Sequence, residues 1–152
     1  MGYYMRYIVT DGELRLVEIE EALRGTDGAY RLHQHSGTQR QSADLYHGDE
    51  LYGELEINRP GDGLFEDEIA ELREMVEERE ESDEDGRRRV VDLLTRATGM
   101  LAVRVLWQGR DAEPTLERLD PLWRWLHDRR EGLLQADSEG YYDQDGLVLA
   151  VE

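Results

Sequence analysis

LFEDEIAELREMVEEREESDEDGRRRVVDLLTRATG, residues 64–99, is the stretch on which the reading of this chain turns. Between Leu64 and Gly86 it holds twelve Asp or Glu against two Arg, a charge of −10 out of −18 for the whole chain. Phe65, Ile69, Leu72 and Val76 recur at helical spacing and form one apolar stripe. Val90, Val91, Leu94 and Ala97 form a second, with Gly99 placed as a C-terminal cap. Asp62 lies in the N-cap region, and Glu66, Asp67 and Glu68 suit the positive end of a helix dipole. The far end is adverse by the same rule, because Glu77, Glu78, Glu80 and Glu81 stand where a helix prefers cations. Asp83, Glu84 and Asp85 precede Arg87, Arg88 and Arg89 by four residues, so a continuous helix would gain about 0.2–0.5 kcal/mol per pair. A break at Gly86 is equally readable, which leaves one helix or two.

On either side the chain reads as β-rich. Tyr3 to Val9 is aromatic and β-branched, hence a strand. Leu14 and Leu16 suggest a short continuation of that hairpin, running into a helix over Ile19, Ala22 and Leu23 that stops at Gly25. Ala29 to His35 alternates, and SGTQRQS (36–42) reads as a polar loop. Ala43 to His47 and Glu50 to Asn58 form a hairpin around Gly48-Asp49, with Gly53 marking a bulge or a close backbone approach. Met100 to Trp107 is nearly continuous apolar and reads as a central strand. A helix follows over Thr115 to Arg130 and stops at Gly132; Pro121 suggests that it starts only there, preceded by a single turn. Leu133 to Asp137 and a last hairpin around Gln144-Asp145-Gly146 complete the chain. Strand 101–107, helix and strand 133–137 suggest a right-handed parallel crossover. The expected fold is α+β: a single domain over residues 1–152, with a mixed, largely antiparallel sheet, helices mostly packed on one face, and a central two-helix connector.

The chain has no cysteine, which excludes disulfides, thiolate metal sites and a cysteine nucleophile. No stretch approaches the roughly 20 apolar residues of a membrane span, and no signal-like segment is visible at the start, so a cytoplasmic protein is expected. All 18 basic residues are Arg, against 36 acids. A surface this acidic repels nucleic acid and anionic membranes and favours cations or basic proteins. A GC-rich genome or a high-salt cytoplasm would account for the same balance without any partner.

Three groups of residues could carry chemistry. Glu81-Ser82-Asp83-Glu84-Asp85-Gly86, with Asp92 beyond, has part of the spacing of a calcium loop. The arginines that follow argue against a cation there. His33 and His35 share one face of a strand, and His47 in the next hairpin could complete a metal site with Asp44 or Asp49. The alternative is a solvent-facing strand side, since Arg31 shares that face. Gln135, Asp137, Glu139, Tyr141, Tyr142, Asp143 and Asp145 gather near the C-terminus, where carboxylates at strand ends can serve as acid or base. None of the serines lies in a strand–turn–helix nucleophile context, and there is no phosphate loop. Trp123 fits the buried helical stripe, whereas Trp125 points off it and reads as an interface anchor.

The leading expectation is therefore a small acidic module, without cofactor, that binds another protein, in one concrete form an inhibitor or immunity-type protein for a basic partner. Glu74, Glu77, Glu78 and Glu81 would steer the encounter and Trp125 would anchor it. The rival is a small metal-dependent enzyme using His33, His35 and carboxylates such as Asp137. A third reading is a self-associating structural subunit, a homo-oligomer.

Overall fold

The structure is a computed structural model, and it describes residues 3–10, 13–35, 41–78, 84–129, 131–136 and 140–150. Twelve elements follow one another. They are β1 (Tyr3–Val9), α1 (Leu16–Thr26), β2 (Tyr30–Gln34), β3 (Gln41–His47), β4 (Glu50–Asn58), α2 (Phe65–Glu77), α3 (Glu84–Arg96), β5 (Gly99–Val105), α4 (Ala112–Arg129), β6 (Gly132–Ala136), β7 (Gly140–Asp143) and β8 (Gly146–Ala150). One sheet of eight strands, in the order β2-β3-β4-β5-β1-β6-β7-β8, runs through both β-rich halves.

The α+β class and the two-helix connector agree with the sequence reading, and two details differ. Every neighbouring pair of strands is antiparallel. β5 and β6 do run the same way, as the expected crossover requires, but β1 is inserted between them and pairs with both. The helices also divide evenly. α1 and α4 cover one face, burying Leu16, Ile19, Leu23, Leu119, Leu122, Trp123 and Leu126 against Tyr7, Val9, Leu45, Leu55, Leu101 and Val103. α2 and α3 cover the other, burying Phe65, Leu72, Val76, Val90, Leu93 and Leu94 against Ile8, Met100, Leu133, Tyr141 and Leu149. Two-sided burial is what the nearly continuous apolar run of β5 demands. It also explains β1, whose Tyr7 and Ile8 point to opposite faces and are both fully buried.

The connector resolves into two helices. Gly86 does not break it; Gly86 is buried inside α3. Of the three four-residue pairs, Asp83–Arg87 lies outside the described residues; Arg88 makes a long contact of 3.9 Å with Asp85 and Arg89 reaches Asp143 at 2.8 Å. Asp62 caps α2 as expected: its Oδ1 accepts the backbone N–H of Leu64 and of Phe65, each at 2.8 Å. The expected strand at Leu14 and Leu16 is absent; α1 begins at Leu16 and runs past Gly25 to Thr26. α4 is one helix with Pro121 inside it. Gly53 fulfils both expectations, since the β3–β4 register shifts beside it and a Cβ there would stand 3.1 Å from the Arg104 carbonyl oxygen.

Candidate functional site

Register places a row of polar and titratable side chains on the α2/α3 face of the sheet. α2 and α3 bury the end of that face that carries Ile8, Met100 and Leu133. The other end is polar. Across it, cross-strand neighbours run His33–Asp44–Glu54–Arg104–Tyr4 in one row, and Ser42–Glu56–Ala102–Arg6–Gln135 in the next. The alternation along β3 and β4 explains the sidedness: Ala43, Leu45, Leu55 and Ile57 enter the core under α1 and α4, so Ser42, Asp44, Glu54 and Glu56 must face away. Carboxylates occupy the β3–β4 side of this floor and cations, Arg104 and Arg6, the β5–β1 side. α2 borders it through Glu68, whose Oε2 lies 3.3 Å from Arg6 Nη2 as an ion pair without hydrogen-bond alignment.

At the β2 end His35 is held from both sides. Its Nδ1 is 2.9 Å from Ser42 Oγ and its Nε2 is 2.9 Å from Asp44 Oδ1. A small cavity of about 140 Å³ opens beside them, lined by Tyr4, Glu54, Glu56 and Arg104 as well as His35 and Ser42. None of Ser42, Tyr4, Arg104, Glu54 or Glu56 stood out in the sequence. The signal that could have found Ser42 is the period-two alternation, which pairs it with the face of Asp44 once the strand is known to begin at Gln41.

The histidines expected to share a metal are separated. His33 and His35 lie on the α2/α3 side, opposite Tyr30 and Leu32. His47 pairs in register with Tyr30, stacks edge-on against it at 4.8 Å, and bonds Asp27 Oδ2 at 2.9 Å. His47 therefore lies on the far face of the sheet from His33 and His35. No group of three metal-binding side chains occurs among the described residues. The hydrogen bond from His47, with that from the Ala29 backbone, holds Asp27 below the usual carboxylate range.

The acidic residues expected to bind a partner are also placed. Glu74, Glu77 and Glu78 are exposed on α2, and Glu81 lies outside the described residues. Arg73 pairs with Glu77 at 3.4 Å, whereas Glu71, Glu74 and Glu78 have no cationic partner among the described residues. In their midst Met75 is 48% exposed. Trp125 sits elsewhere. It is half-buried against the core of α1 and α4, with the Arg129 guanidinium 5.7 Å from its ring centroid. The sheet lies between Trp125 and α2, so the two do not form one patch.

The C-terminal group disperses. Gln135 and Tyr141 are buried, and Asp137 and Glu139 lie outside the described residues. Asp143 clamps the β7–β8 hairpin to α3 through Arg89. Partial burial would raise its pKa, but the bonds from Arg89 and from the Asp145 N–H outweigh that and hold it low. Asp143 also lines a cleft of about 400 Å³ with Trp123, Arg124, His127 and Asp128. Burial lowers the pKa of His127, whose ring meets Tyr7 edge-on at 5.2 Å. Of the sequence that resembled a calcium loop, Glu84, Asp85 and Gly86 are helical and residues 81–83 lie outside the described residues. No described helix is long and apolar enough to cross a membrane. No protein-family model matches the chain, and neither a curated protein nor a solved structure shows significant similarity to it.

Proposed function

We propose that the protein is an acidic binding module that docks a basic protein partner on the α2 side of its sheet, in the manner of an inhibitor or immunity-type protein. The observation that carries this reading is the exposed Met75 set among Glu71, Glu74 and Glu78, none of which has a cationic partner among the described residues. A flexible, polarizable thioether surrounded by carboxylates suits a surface that is both cationic and apolar. The open polar floor bordering α2, with Tyr4 40% exposed, extends the same side into a larger contact area. Trp125 has no part in this surface.

The test uses a synthetic amphipathic Lys/Leu helical peptide as probe, titrated by fluorescence anisotropy over a salt series. The expected result is binding that weakens at least tenfold between about 0.05 M and 0.5 M salt, as long-range attraction is screened. Glu71, Glu74 and Glu78 changed together to Gln should weaken it tenfold at low salt. Equal affinity for this variant and for wild type would sink the reading.

A further inference from the structure

We propose that Ser42 is a nucleophile activated by His35 and Asp44, and that this end of the polar floor hydrolyses small activated acyl esters. The inference is independent of protein binding on α2. The nucleophile, the base and the group that orients the base are hydrogen-bonded in series, at 2.9 Å and 2.9 Å. When Nε2–H of His35 donates to Asp44, Nδ1 carries the lone pair and accepts the Ser42 hydroxyl proton. The relation of roles is that of a serine–histidine–aspartate triad with the two ring nitrogens exchanged. His35 follows the last residue of β2 and donates its backbone N–H to the Ser42 carbonyl oxygen at 2.9 Å, and Asp44 is two residues further along β3 on the side of Ser42. β3 thus holds Ser42 and Asp44 more rigidly than a loop would.

The neighbouring cavity limits the substrate. Its volume of about 140 Å³ has room for a short acyl group. Arg104 is the cation in its lining, and a guanidinium is a donor suited to a developing oxyanion. Glu54 and Glu56 in the same lining disfavour an anionic acyl chain, so the fitting substrate is a neutral ester with a good leaving group. In the acylation step the Ser42 Oγ–H bond breaks and its proton moves to His35 Nδ1, while Oγ bonds to the acyl carbon. The bond from that carbon to the leaving oxygen then breaks, and the departing oxygen takes the proton from Nδ1. Water, activated by the same nitrogen, returns Ser42 to its starting state and releases the carboxylic acid.

The experiment incubates the protein with 4-nitrophenyl acetate, follows nitrophenolate release in stopped flow, and maps adducts by peptide mass spectrometry. Wild type should give an acetyl group on Ser42 ahead of every other hydroxyl and of His33. Ser42→Ala should remove that adduct, and His35→Gln should slow its formation about 100-fold. Asp44→Asn should slow it at least tenfold, and His33→Ala should leave the rate unchanged. Melting curves matching wild type establish that each variant is folded. Acetylation that spares Ser42, or an Ser42 rate unaltered in folded His35→Gln, would overturn the proposal.

Discussion

Gly132 begins β6 directly beside β1, and a Cβ there would overlap the Ile8 carbonyl oxygen and stand 2.9 Å from Tyr7 Cε1. Backbone cannot move aside as a flexible side chain can. Gly132→Ala is expected to lower stability by about 3 kcal/mol, read as a fall in the urea midpoint. Asp62 offers a second residue-scale check. Burial would raise its pKa, but hydrogen bonds from Leu64, Phe65, Arg59 and Asn58 prevail and hold it below its ordinary value of 3.8. A carboxylate depressed on folding stabilises the fold fully above its unfolded pKa and loses that contribution as pH falls through the folded value. Asp62→Ala should therefore cost about 1 kcal/mol at neutral pH, with the gap to wild type shrinking in strong acid. Melting curves at the two pH values measure it. The sequence made Asp62 legible, because a cap is a local matter. It showed Gly132 only as the stop of a preceding helix, since the atoms it must clear lie in β1. Ser42 was hidden for a related reason: it looked like the end of a polar loop, and only strand pairing turns it toward His35.

Among the elements, α2 is the one whose sequence disagrees with its own stability. Its last turn carries no basic residue, and Glu74, Glu77 and Glu78 stand at the negative end of the helix dipole. Glu78→Arg should accordingly raise stability by about 0.5 kcal/mol while weakening attraction to a cationic partner. A thermal melt and the peptide titration together separate the two effects. Helix periodicity was readable from the sequence, because the stripes Phe65–Val76 and Val90–Ala97 are local patterns. α4 was less so. Pro121 suggested a fresh start, yet the helix continues through it, anchored by buried Thr115 and Leu119 on one side of the proline and by Leu122, Trp123 and Leu126 on the other. A missing N–H weakens one turn, but burial of these side chains on both sides holds the axis together. The strand expected at Leu14 gave way to α1 because Leu16, Ile19 and Leu23 bury together only at helical spacing.

For the molecule as a whole, strand order was the part that sequence could not supply. The first strand ends up in the middle of the sheet, between β5 and β6, a pairing set by burial on both its faces rather than by any neighbouring turn. That insertion brings Arg6 and Tyr4 beside Ala102 and Arg104, whereas His47 is parted from His33 and His35 by the alternation of faces along β2 and β3. Net charge acts at this scale too. With 36 acids against 18 arginines, self-repulsion opposes the compact state, and the melting temperature should rise as salt increases from about 0.05 M to about 1 M. Docking of a partner on the α2 side is tested by amide chemical-shift mapping of the ¹⁵N-labelled protein titrated with the Lys/Leu peptide. Perturbations should concentrate at Glu71, Glu74, Met75 and Glu78 and spread to Tyr4, Glu54 and Arg104, with α1 and α4 unmoved. Perturbations centred instead on Val17, Trp125 and Arg129 would contradict it.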